Sequence, residues 1–90
     1  MNNDHATVIA LKALEHLVAD DTLRHRFMAE SGTDQATLGA EAANPAFLAG
    51  VLDFLLADET ALKAFCEAAA LEPELPMRAR RLLPGGVWSD

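Results

Sequence analysis

The sequence is poor in the residues that build β-sheets and disulfide frameworks. Its 90 residues include one cysteine, one isoleucine, four valines and no tyrosine, whereas alanine accounts for 18 and leucine for 14. β-Branched and aromatic side chains favour strands, while alanine and leucine favour helices. We therefore exclude an all-β or α/β fold and expect an all-α one. The single cysteine, Cys66, also excludes an intrachain disulfide and favours a reducing cytoplasm.

Basic residues and long apolar runs are scarce as well. Seven Lys and Arg stand against 14 Asp and Glu, giving a formal net charge of −7. That charge opposes general binding to nucleic acid or to an anionic membrane. The most apolar run, Ala46 to Ala57, is interrupted by Asp53 and is shorter than the roughly 18 residues of a membrane span. The amino terminus lacks the basic region of a signal peptide. We expect a cytoplasmic protein with no nucleic-acid or membrane partner.

Turn and capping residues divide the chain into five or six short helices. We expect one helical domain over residues 1–86 and a tail at 87–90. Helix one should run from about Asp4 to Ala19, and Gly32 should end the second helix. Pro73 should open the sixth, which Pro84-Gly85-Gly86 ends. The helices between these are expected to have their N-caps at Asp20, Asp34, Asn44 and Asp58.

The fourth helix is apolar over most of its circumference. Its large side chains spread over roughly 200° of the helical wheel, more than a surface helix normally buries. We therefore predict that it lies at the centre of the bundle. The excess could leave Phe47 or Phe54 partly open, so both a monomer and a homodimer remain possible. The sixth helix should turn Leu75, Ala79, Leu82 and Leu83 inward.

A shift of 38 residues aligns the chain with itself. Six of the 14 positions from Leu14 to Phe27 are identical to those from Leu52 to Phe65. The pattern predicts two related three-helix units, at about residues 6–43 and 44–83, which close on each other. Each phenylalanine should lock the corner of its own unit. The core positions predicted in this way are Leu14, Leu17, Phe27, Leu52, Leu55 and Phe65.

Two phrases carry a family resemblance. They are Leu14-Glu15-His16-Leu17-Val18-Ala19-Asp20-Asp21 and the segment from Asn44-Pro45-Ala46-Phe47 to Leu56-Ala57-Asp58-Glu59. Together with Phe65-Cys66-Glu67 and Leu83-Pro84-Gly85-Gly86, they resemble the small proteobacterial domain-of-unknown-function family 3572. The chain departs from that family mainly at Gln35 and Ala70. The resemblance implies an all-helical cytoplasmic protein without an assigned activity or cofactor, and suggests a response-regulator system as a partner.

The reactive side chains fit structural roles. His5 and His16 share a helix face, but 11 residues separate them by roughly 16 Å, too far for one metal ion. We expect them to be solvated surface histidines. Cys66 aligns with Met28, which favours a buried, inert thiol over a nucleophile. Asp20 and Asp58 are expected to be helix caps, so we predict no catalytic, metal or cofactor site.

The carboxy-terminal segment is basic on an otherwise acidic chain. Residues 1–74 carry a net charge of −9 and residues 75–90 a net charge of +2. A solvated helix face explains most of this asymmetry, and recognition of an acidic partner is the alternative. Trp88, the sole tryptophan, either folds back onto the bundle or docks a partner. The candidate interaction residues are therefore Arg78, Arg80, Arg81 and Trp88.

These observations favour a non-catalytic interaction or regulatory module that presents a helical surface to another protein. One alternative is a regulator that binds an apolar small molecule at the junction of the two units. A second alternative is an enzyme with an unrecognised site.

Overall fold

Six α-helices make up the fold over residues 2–83, the part of the chain that the computed structural model describes. They are α1 (Asn3–Ala19), α2 (Asp21–Ser31), α3 (Gln35–Ala40), α4 (Pro45–Leu56), α5 (Glu59–Ala69) and α6 (Leu75–Arg81). No strand occurs in these residues, and the predicted all-α bundle is confirmed. The radius of gyration, 12.0 Å, equals the value of about 12 Å expected for a compact chain of this length.

Side-chain caps begin most of the helices. Asn2 caps α1, which starts one residue earlier than predicted. The oxygen of each cap accepts a hydrogen bond from a free backbone amide of the first helical turn. The bonds measure 2.9 and 3.1 Å to Asp20, 2.8 Å to Asp34, 3.0 Å to Asn44 and 3.1 Å to Asp58. Gly32 ends α2 in the left-handed conformation, with φ of 72°.

The last helix differs from the prediction at both ends. It begins at Leu75 rather than Pro73, because residues 72–75 first form a turn in which the Leu75 amide donates to the Glu72 carbonyl. Leu82 was expected in the core but is 38% exposed. The helix ends at Arg81, and Leu83 is the residue beyond its end that enters the core.

Two helices share the centre of the bundle. α4 contacts α1, α5 and α6 and meets an aromatic ring of α2, as its apolar surface predicted, but α1 likewise contacts α2, α4, α5 and α6. The prediction of one central helix was therefore incomplete. Small alanine side chains on α1 allow this close packing, since Ala6, Ala10 and Ala13 are fully buried. The predicted core residues, all buried, are Leu14, Leu17, Phe27, Leu52, Leu55 and Phe65.

Aromatic contacts join the two halves of the chain. The ring of Phe27 on α2 meets Phe47 and Phe54 of α4 edge-on, with centroids 5.7 and 5.4 Å apart. The ring of Phe65 on α5 lies 5.6 Å from His16 of α1. Both phenylalanines thus pack against the opposite half, not only at the corner of their own unit. His16 is accordingly half-buried rather than a solvated surface residue.

The second helices of the two halves correspond closely. α2 and α5 each have 11 residues, and both their ends lie 38 residues apart. Asp20 and Asp58 cap their starts, while Gly32 and Ala70 end them in the left-handed conformation, with φ of 72° and 57°. His16 and Phe54, which receive the two phenylalanine rings, are also 38 positions apart. These correspondences favour the predicted duplication.

We predict that Phe27→Ala and Phe65→Ala each lower the free energy of unfolding by about 3 to 5 kcal/mol. Each ring is almost fully buried between the halves, so truncation leaves a cavity that the flanking helices cannot fill. Urea unfolding followed by circular dichroism measures the change. A severe loss for one variant together with a neutral result for the other would contradict the equivalence of the two positions.

Candidate functional site

One face of α6 combines exposed cations with exposed apolar side chains. Its residues are Met77, Arg78 and Arg81 of the helix together with Leu82, the C-cap residue, and we call them the α6 outer face. At 100° per residue they cover about 140° of the helix circumference. Met77 is 46% and Leu82 38% exposed, and both arginines are exposed as well. Pro76, Ala79 and Leu83 lie on the opposite side and anchor the helix in the core.

Arg80 does not belong to this face, although the sequence grouped it with Arg78 and Arg81. Its guanidinium forms a two-point contact with Asp53 of α4, with Nε–Oδ1 of 2.6 Å and Nη2–Oδ2 of 3.0 Å. Only 15% of the Arg80 side chain is exposed. The difference arises because position 80 lies on the flank of α6 that turns towards α4. A bidentate arginine–carboxylate pair fixes orientation as well as distance, so this contact positions α6.

The sequence identified two of the four residues of the α6 outer face, Arg78 and Arg81. Met77 was not singled out, and Leu82 was assigned to the core. The helical wheel already places Met77 beside Arg81, which is the signal that could have found it. Trp88, the remaining candidate, lies outside the described residues.

A different arginine, Arg26, links the two halves of the chain at the start of α5. Arg26 of α2 donates from Nη1 to Asp58 Oδ2 at 2.9 Å, and its guanidinium carbon lies 5.3 Å from the centre of the Phe54 ring. Asp58 also accepts from the Ala61 amide as the cap of α5. The hydrogen bonds from Ala61 and Arg26 hold the pKa of the Asp58 carboxyl below its ordinary value.

Two grooves lie at the junction of the halves, between α1 and α5 and between α2 and α4. The first has a volume of about 470 Å³ and the second about 280 Å³. Under the 38-residue shift, six positions that line the first groove correspond to six that line the second. Lys12, Glu15, His16, Phe65, Ala68 and Ala69 line the first groove, and Gly50, Asp53, Phe54, Phe27, Glu30 and Ser31 take the corresponding places in the second. Charged or polar side chains enter both grooves, so neither is an all-apolar pocket.

Burial and spacing determine what Cys66 and the potential metal ligands can do chemically. Cys66 is buried, and this burial raises the pKa of its thiol, which disfavours the reactive thiolate. No group of three or more potential metal ligands occurs among residues 2–83. Within the same residues, no helix has both the length and the hydropathy required to cross a bilayer.

We predict that Arg80→Ala lowers the free energy of unfolding by about 1 to 2 kcal/mol, because it removes a charge-assisted pair and the packing of the side-chain stem. Arg81→Ala, one residue away on the outer face, should change it by less than about 0.5 kcal/mol. Urea unfolding of both variants in parallel tests the distinction. Equal effects would show that Arg80 does not hold α6 in place.

The lowered pKa of Asp58 predicts a specific pH dependence. A carboxyl whose pKa is depressed by folding stabilises the protein above its unfolded pKa, near 4, and loses that contribution as pH falls through the folded value. Asp58→Asn removes the titrating charge. The melting temperature of the native protein should therefore exceed that of the variant at pH 7, and the difference should shrink below about pH 4. A difference that stays constant down to pH 2 would contradict this assignment.

The comparisons with known proteins give a family but no activity. Neither the curated proteins nor the solved structures give a match to the chain. The family described as a protein of unknown function (DUF3572) matches residues 3–86, which covers all six helices. The resemblance drawn from the sequence is thereby confirmed, and the chain belongs to the DUF3572 family.

Proposed function

We propose that this protein is a non-catalytic cytoplasmic interaction module whose α6 outer face docks an acidic protein partner. The observation that carries the proposal is the exposure of Met77 and Leu82 beside two arginines. Interfaces are enriched in methionine and arginine relative to the rest of a protein surface. A mixed apolar and cationic face of this kind fits a partner helix that carries carboxylates around an apolar stripe.

Rigid presentation supports the proposal. Pro76, Ala79 and Leu83 are buried beneath the face, and Arg80 ties α6 to Asp53 of α4. A surface that is ordered before binding loses less conformational entropy when the partner arrives. The outer face therefore needs no rearrangement of α6 in order to bind.

The distribution of charge supports a protein partner over nucleic acid. Residues 1–74 carry a net charge of −9, which repels a phosphate backbone that approaches over a wide surface. Two arginines on one short helix are enough to recognise a pair of carboxylates on a compact partner. A response regulator, the partner suggested by the family resemblance, remains part of this proposal.

The surroundings of the reactive groups support a non-catalytic role. Cys66 is buried with a raised thiol pKa, and the carboxylates of Asp20 and Asp58 are used in helix capping. An interaction role needs none of these groups to react. The repeated helical unit then acts as a scaffold for the outer face.

Affinity capture from native lysate tests the proposal with a charge-matched control. The variant Arg78→Glu/Arg81→Glu should lose the partner that the native protein captures, since like charges then face each other. The control, Lys12→Glu/Lys63→Glu, changes the net charge equally at exposed sites on α1 and α5 and should retain it. Loss in both variants, or retention in both, would contradict docking at α6.

A further inference from the structure

A third groove lies within the first half of the chain, between α1 and α3. Its volume is about 490 Å³, and we call it the α1–α3 groove. Its polar lining residues are Gln35 and Glu15, and Glu15 also lines the groove between α1 and α5. The remaining lining residues are apolar or glycine: Leu14, Val18, Ala19, Leu38, Gly39 and Ala42.

The second half pairs an arginine with the carboxylate that corresponds to Glu15. The 38-residue shift places Leu14 on Leu52, which are both buried, whereas α6 begins and ends later than the shift of α3 would give. It also places Glu15 on Asp53, the carboxylate that binds the guanidinium of Arg80. In the second half, an arginine side chain therefore lies between α4 and α6.

The first half has the carboxylate but lacks the arginine. Ala42 is 38 positions before Arg80 but lies in the turn after α3, and its side chain carries no charge that could pair with Glu15. Glu15 is exposed, and among residues 2–83 it takes part in no salt bridge. The α1–α3 groove therefore offers a carboxylate without a salt-bridge partner and apolar walls along which the stem of an arginine side chain could pack.

We propose that the α1–α3 groove receives an arginine from the α6 outer face of a second copy of this chain, so that the protein forms a homodimer. This inference rests on the proposed function and names a partner for the same face. Arg78 and Arg81 are exposed on α6, whereas Arg80 is already held by Asp53. The guanidinium of one of them pairs with Glu15 of the other copy.

The chemistry of the two surfaces is complementary. The α6 outer face supplies two cations and two large exposed apolar side chains, Met77 and Leu82. The groove supplies a carboxylate and apolar walls within an acidic part of the chain. In a two-fold dimer the α6 outer face of each copy binds the α1–α3 groove of the other, so that both contacts form together. Two simultaneous contacts also strengthen each other, because the second forms at a high effective concentration.

Sedimentation equilibrium from micromolar to millimolar concentration tests the proposal directly. The native protein should pass from 9.6 kDa to twice that mass as its concentration rises. Glu15→Arg should weaken the dimer by on the order of tenfold or more, since it places a cation against the incoming arginine. A native protein that stays at 9.6 kDa throughout would overturn the proposal.

A second pair of variants tests the groove by filling it from within. Ala42→Arg places a guanidinium in the lining of the groove that Glu15 shares, and should raise the melting temperature while preventing dimerisation. Ala43→Arg adds the same charge at the next, exposed position and should leave the dimer intact. Equal dimerisation of the two variants would overturn the proposed groove. Circular dichroism of each variant shows that its helices are retained.

A charge exchange provides the most specific test of pairing. Glu15→Arg and Arg78→Glu/Arg81→Glu should each fail to form homodimers but should form a heterodimer when mixed, since every contact is then between opposite charges. Absence of this heterodimer would overturn the proposed pairing. Because Glu15→Arg leaves the α6 outer face unchanged, a different protein partner should still be captured by it. A result in which self-association fails but partner capture survives can therefore be told from one in which partner capture fails but self-association survives.

Discussion

The packing of α1 against α4 is the constraint on which the rest of the structure depends. Fully buried alanines on α1 let neighbouring helices approach its backbone closely, and α4 packs against α1 with buried leucines and a valine of its own. The shorter helices then cover this pair, and their aromatic contacts cross from one half of the chain to the other. Because Phe27 meets Phe54 and Phe65 meets His16, neither half has a complete core without the other. Such mutual closure is what the predicted pair of units requires, because an open array of units would need more than two.

The exposed face of α6 follows from the same packing. α6 contacts both central helices, and the Arg80–Asp53 pair fixes its rotation about its own axis. That rotation places Arg78 and Arg81 in solvent and Pro76 in the core. The first half shows the same kind of carboxylate in Glu15 but no arginine to match it.

Local chemistry made much of the fold predictable. Asp20, Asp58 and Gly32 act within a few residues of their own positions, so capping and turn rules place the helices without tertiary information. The exact start of α6 was not predictable, because Pro73 and Pro76 are both compatible with a first helical turn. Ala70 in the left-handed conformation was also missed, since that conformation normally indicates glycine.

The candidate site was less predictable than the fold. A helical wheel separates inward from outward positions, but it does not say which neighbour lies beside a flanking residue. Arg80 therefore looked equivalent to Arg78 and Arg81 until α4 brought Asp53 beside it. The aromatic contacts between the halves were hidden for the same reason. Both depend on how separate helices approach each other, which a single sequence does not specify.

The central claim is that the α1–α4 core holds α6 rigidly and so presents a preformed docking face. Native-state hydrogen exchange of the amides of α1, α4 and α6 measures this most directly. The account predicts that the Ala79 and Leu83 amides exchange as slowly as those at the middle of α1 and α4, through opening of the whole domain. Fast exchange of α6 while α1 and α4 stay protected would contradict it, because α6 would then open independently of the core.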